Sequence, residues 1–161
     1  MTGARIARAA ARYLGDAEHF AVTYGDGLTD ADLGEEFAFH LSHGKIGTVL
    51  GVNPPSRFGE IVLAGNDVER FEEKPRFSDE WINGGYFFFR RPFLRYLSSD
   101  ESCVLERAPL SRLAADRQLA MHRHKGFWAC MDTQRDVDHL NQLWAAGDAS
   151  WITRPPAPRP V

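Results

Sequence analysis

The sequence predicts an α/β protein: a mostly parallel, mixed sheet with flanking helices. Short apolar runs of strand length, at 20–24, 46–52 and 82–89, alternate with stretches of helical period. Gly, Pro and Asx residues punctuate almost every boundary between them. The length, 161 residues, suits one domain with a real core.

Residues 6–14 read as a helix, with Gly15 suited to the left-handed position past its end. The opening MTGARIARAAARYLG is rich in Ala and Arg and free of acids. That composition can be taken for a transit peptide, but it equally describes an ordinary amphipathic helix. Residues 20–24 read as a buried strand closed by the turn Gly25-Asp26-Gly27. Thr29 and Asp30 are candidate caps for a helix over 32–43, with Leu33, Phe37 and Leu41 facing inward and Gly44 as its stop.

The next strand, 46–52, is broken by Asn53-Pro54-Pro55-Ser56. Runs 60–64 and 67–73 make a hairpin through Gly65-Asn66. Residues 82–89, the most apolar run, belong in the sheet interior. Pro92 and Pro109 each suit the first turn of a helix, ending near 97 and 116. Residues 119–124 alternate apolar and basic, as an edge or half-buried strand does. Thr133 and Asp136 resemble a capping pair for a last helix, with Val137, Leu140 and Trp144 inward and Gly147 beyond. Residues 152–161 form a proline-rich tail, expected to be unpacked.

Net charge is −3 with acids and bases mixed, so no basic surface argues for nucleic acid. No apolar run is long enough to cross a membrane. Two distant cysteines, Cys103 and Cys130, make neither a disulfide framework nor a zinc pattern, and suit a cytoplasmic setting.

In sheets of this class ligands sit at the carboxyl ends of strands, and Asp26, Asn83 and Asp132 all fall at strand boundaries. Asp26 reads either as a turn residue or as a ligand, and Asp132 either as an acid favoured at a helix N-terminus or as a ligand. Two such carboxylates can share a Mg²⁺ whose remaining partners are phosphate oxygens. Glu73-Lys74, stopped by Pro75, is a surface charge pair or a ligand grip, Lys as a point charge for phosphate and Glu as an acceptor for hydroxyls. Asn83-Gly84-Gly85 is a turn or a loop that lets backbone approach a ligand. His40 with His43, and His122 with His124, lack a third ligand at useful spacing and read as surface or packed residues. No Ser-His-Asp set or glycosidase carboxylate pair can be defended.

The chain resembles the sugar-phosphate nucleotidyltransferases. The likeness is carried by Met1-Thr2-Gly3-Ala4-Arg5, Tyr24-Gly25-Asp26-Gly27, Asn53-Pro54-Pro55-Ser56-Arg57-Phe58-Gly59 and Phe71-Glu72-Glu73-Lys74-Pro75. It continues through Ile82-Asn83-Gly84-Gly85-Tyr86-Phe87, Gly126-Phe127-Trp128, Met131-Asp132-Thr133 and Leu143-Trp144. The order and spacing run from residue 1 to about 151, and the nearest likeness is to the branch that joins CTP and glucose 1-phosphate.

The resemblance implies a nucleotidyltransferase (Rossmann-like) fold and the transfer of a nucleotidyl group from an NTP to a sugar 1-phosphate, with release of pyrophosphate. By the same likeness Asp26 and Asp132 would hold Mg²⁺, Lys74 would grip the sugar's phosphate, and Glu73 would accept from its hydroxyls. Asn83, Gly84 and the backbone at Gly59 would line the sugar pocket, and Thr2 and Gly3 would belong to a loop touching the base. A homo-oligomer serving nucleotide-sugar and polysaccharide biosynthesis is also implied. The alternatives are a relative using UTP, dTTP or GTP, or a non-catalytic sugar-phosphate-binding fragment.

Two departures stand out. Ala4 replaces the second glycine of the family's Thr-Gly-Gly-Arg, and a Cβ there is expected to crowd the base or the backbone. The family's glycine-rich phosphate loop does not precede Met1. The expectation is therefore a partial fold, first strands missing, in which 1–151 is the acceptor-side portion and turns over little alone.

Overall fold

The structure is a computed structural model and describes residues 1–54, 59–73 and 81–152. Lys74, Pro75, Arg57, Phe58 and the tail from 153 onward lie outside the described residues. In chain order the elements are α1 (Thr2–Tyr13), β1 (His19–Thr23), β2 (Gly27–Thr29), α2 (Leu33–Ser42), β3 (Gly47–Val52), β4 (Glu60–Ala64), β5 (Asp67–Glu72) and β6 (Ile82–Arg90). A 3-10 turn (Arg91–Tyr96), α3 (Ala108–Ala115), β7 (Leu119–His124), β8 (Trp128–Cys130) and α4 (Gln134–Ala146) follow. They fall into two compact units, the first made of Met1–Tyr24, Asp32–Gly51 and Asn83–Arg123, the second of the remaining segments.

The first unit holds a sheet of order β1-β6-β3-β7. β1 and β6 are antiparallel, with Phe20 opposite Phe89 and Val22 opposite Phe87. Arg90, last in β6, donates its N–H to Ile46, just before β3, so these two strands also oppose. Gly47, first in β3, donates to Gln118, just before β7, so that pair runs parallel. The sheet is mixed, with three of its four strands sharing one direction and the apolar β6 inside. Phe87 and Phe89, two apart and on one face, join Phe93, Leu105 and Leu113 in the core. The rings of Phe89 and Phe93 stack at 3.8 Å between centroids.

Two helices of this unit depart from expectation. α1 begins at Thr2 rather than near Ile6, because its first turn is tied to residues 103–105: Ala4 N–H donates to Cys103 and Thr2 Oγ1 accepts from the Leu105 N–H. α2 is capped by Asp32, whose carboxylate accepts from the Gly34 and Glu35 N–H groups, and neither Thr29 nor Asp30 caps it. Its buried residues are Glu36 and His40, while Leu33 and Leu41 are exposed. The polar stripe turns inward because His19 of β1 and Thr48 of β3 supply partners for His40.

In the second unit β2 pairs with β8 and β4 with β5, both antiparallel. Gly65 takes φ +66° in the β4–β5 turn, as the Gly-Asn dipeptide predicts. Thr133 and Asp136 form a reciprocal capping box at the start of α4, and Gly147 ends it in the left-handed conformation. Leu140 is buried, but Trp144, expected inward one turn later, is 61 % exposed.

Candidate functional site

The β2–β8 ribbon places the two acids expected to share a metal at the same end of one pair of strands. Gly27 lies opposite Cys130 and Thr29 opposite Trp128. The antiparallel register continues past the ribbon, where the Met131 N–H donates to the Asp26 carbonyl at 2.9 Å. Asp26 and Asp132 therefore flank the same end of one two-stranded ribbon, and both are exposed. The other end is pinned by side chains, Thr29 Oγ1 donating to the Phe127 carbonyl and His124 Nε2 meeting Asp30 Oδ1 at 2.8 Å. The Cys130 thiol donates to Asp132 Oδ2 at 3.0 Å.

Carboxylates are hard oxygen donors of the kind Mg²⁺ takes one or two at a time, with phosphate oxygens and waters completing its octahedron. Among the described residues no group of three or more His, Cys, Asp or Glu side chains could hold a metal ion unaided. The donor set fits a cation that arrives with phosphate.

Gly59 and Glu73 also come together, at the open end of the β4–β5 hairpin in the same unit. A Cβ built on Gly59 would lie 3.0 Å from both Glu73 Oε2 and the Phe71 ring. Only a glycine leaves the backbone at 59 that close to the Glu73 carboxylate without displacing a neighbour.

The remaining candidates lie in the first unit. Gly84 is buried, and Asn83 is exposed with its Oδ1 accepting the Gly85 N–H at 2.9 Å. Thr2 and Gly3 form the first turn of a helix rather than a loop, which corrects the sequence expectation. A Cβ on Gly3 would come within 2.6 Å of Cys103 Sγ, so the glycine is needed for packing. Ala4 is 1 % exposed, and its N–H donates to the Cys103 carbonyl at 3.2 Å.

Thr2 and Asn83, 81 positions apart, are nevertheless joined. Thr2 Oγ1 donates to Glu106 Oε2 at 3.0 Å, the Tyr24 hydroxyl donates to Glu106 Oε1 at 2.5 Å, and Asn83 Nδ2 donates to that hydroxyl at 3.3 Å. Sequence reasoning missed Glu106, an exposed acid with no motif around it. The signal for Tyr24 was its place directly before Gly25-Asp26-Gly27.

Residues 4–149 match the family described as Nucleotidyl transferase. The chain belongs to the nucleotidyltransferase family. It is 41 % identical over 153 residues to the glucose-1-phosphate cytidylyltransferase of Salmonella typhimurium, covering 95 % of this chain and 59 % of that enzyme. It is 32 % identical over 135 residues to the mannose-1-phosphate guanylyltransferase catalytic subunit beta of Dictyostelium discoideum, covering 81 % of this chain and 37 % of that one. Among solved structures, HddC from Yersinia pseudotuberculosis complexed with GMP-PN superposes with a TM-score of 0.62 at 18 % identity, over 89 % of this chain and 62 % of that one. That likeness shows the fold. This nucleotidyltransferase chain thus spans about 59 % of the length of the Salmonella relative. No helix among its described residues is long and apolar enough to cross a membrane.

Proposed function

We propose that this chain carries the acceptor side of a cytoplasmic nucleotidyltransferase that joins CTP and glucose 1-phosphate into CDP-glucose and pyrophosphate, for polysaccharide biosynthesis. An oxygen of the sugar phosphate attacks the α-phosphorus of CTP in line, and the bond to the β,γ-pyrophosphate breaks. The observation that supports this best is the placing of Asp26 and Asp132 at one end of the β2–β8 ribbon. These two carboxylates would hold the Mg²⁺, which supplies neutralisation of phosphate charge. Lys74 grips the phosphate of the acceptor, and Glu73, beside the Gly59 backbone, accepts from the sugar hydroxyls. Asn83 and Gly84 line the sugar, and Thr2 and Gly3, in the first turn of α1, contact the base. The cytidylyl assignment rests on the likeness to the Salmonella enzyme at 41 % identity.

Calorimetric titration of CTP with and without Mg²⁺, and of glucose 1-phosphate, tests this. Asp26→Asn and Asp132→Asn should each remove the Mg²⁺-dependent part of CTP binding, and Lys74→Ala should weaken glucose 1-phosphate. Asp variants that bind Mg²⁺ and CTP as the unsubstituted chain does would overturn the assignment. The same titration with UTP, dTTP and GTP identifies the base.

A further inference from the structure

The network running from Thr2 through Glu106 and Tyr24 to Asn83 lies wholly within the first unit. Its proton directions follow from the backbone. Thr2 Oγ1 already accepts the Leu105 N–H at 2.9 Å, so its own proton goes to Glu106 Oε2. Asn83 Oδ1 accepts the Gly85 N–H, which turns the amide nitrogen toward Tyr24. The Tyr24 hydroxyl accepts from that nitrogen and gives its proton to Glu106 Oε1. Every donation runs toward the carboxylate, and each of its oxygens serves one arm.

Tyr24 is itself held in place. Its N–H donates to the Gly85 carbonyl at 2.8 Å, and its ring lies against Gly85, where a Cβ would come within 2.7 Å. The ring of Phe87 packs beside it at 5.8 Å between centroids. The hydroxyl therefore has one place to be, and Glu106 is what it points at.

We propose that Glu106 is a positioning residue: its one carboxylate sets Thr2 directly and Asn83 through Tyr24, so that base-side and sugar-side contacts share a single anchor. What Thr2 and Asn83 touch rests on the proposed function; the hydrogen bonds that hold them do not. Glu106→Ala removes the acceptor from both arms. Glu106→Gln keeps the geometry, its Oε1 accepting from Tyr24 and its Nε2 donating to the second lone pair of Thr2 Oγ1. Tyr24→Phe cuts only the Asn83 arm.

Two measurements test the proposal. The first is the NMR position of the Asn83 side-chain amide in the ligand-free chain, and the second is calorimetric affinity for glucose 1-phosphate and for CTP with Mg²⁺. Glu106→Ala and Tyr24→Phe should both move the Asn83 resonances and weaken glucose 1-phosphate about tenfold, the loss of one aligned hydrogen bond. CTP affinity should fall in Glu106→Ala and hold in Tyr24→Phe, and Glu106→Gln should restore both ligands. Unmoved Asn83 resonances in Glu106→Ala would overturn the proposal, as would equal loss of both ligands in Tyr24→Phe. A wild-type chain that bound neither ligand would refute the proposed function, while the ligand-free resonances would still decide whether Glu106 positions Asn83.

Discussion

His40 Nδ1 lies 2.8 Å from the hydroxyl of Thr48, and both side chains are fully buried. The pair is the middle of a longer chain. The Lys45 N–H donates to His43 Nδ1, which makes His43 a donor at Nε2, toward Thr48 Oγ1 at 2.7 Å. Thr48 Oγ1 also hydrogen-bonds His40 Nδ1, and His40 Nε2 hydrogen-bonds His19 Nδ1 at 3.1 Å. The Lys45 amide sets the tautomer of His43, the outermost ring of the chain.

That chain requires a neutral His40. Burial, and then His19, His43 and Arg90 nearby, lower its pKa from 6.5 to about 4. A folded-state value below the unfolded one gives stability that is present above pH 6.5 and lost as pH falls toward 4. The loss should be on the order of 3 kcal/mol. Urea unfolding between pH 7 and 4 checks it, and His40→Gln should shrink the dependence.

One turn earlier on the same helix, Glu36 behaves in the opposite sense. Neither carboxylate oxygen has a hydrogen-bond partner among the described residues, and burial raises its pKa from 4.5 to about 7. Its contribution is full below pH 4.5 and lost as pH rises through 7. Glu36→Leu should stabilise the chain at pH 8 by about 2 kcal/mol, since an unpaired buried acid is replaced by an apolar group. Thermal melts at pH 5 and pH 8 should show the gain only at the higher pH.

Gly85 sits at φ +81° with the Tyr24 ring where a Cβ would go. Gly85→Ala combines left-handed strain with a clash and should cost about 3 kcal/mol. A lowered melting temperature together with altered Tyr24 fluorescence or NMR signals checks it.

The capping box of α4 is solvent-exposed, so its worth can be read cleanly. Thr133→Ala should cost about 1 kcal/mol, Thr133→Ser much less. Urea midpoints of the two variants against the parent decide it.

Features that depend on near neighbours in the chain can be read from the residues alone. The caps at Thr133 and Asp136, the Gly65 turn, the left-handed stops at Gly15, Gly44 and Gly147, and the apolar strand β6 were all legible because backbone conformation and local hydrogen bonds are set within a few residues. The placement of Asp26, Asn83 and Asp132 near the ends of strands was legible too.

Which polar groups meet is set by the way the elements pack. Period alone put Leu33 and Leu41 inside α2, yet Glu36 and His40 are buried there, because β1 and β3 bring His19 and Thr48 to that face. Asp26 and Asp132 share a ribbon end only because β2 pairs with β8 in one register. Glu106 finds Tyr24 and Thr2 across 82 and 104 positions. A side chain's partners over such separations are fixed by the packing of whole elements, and no local pattern carries that information.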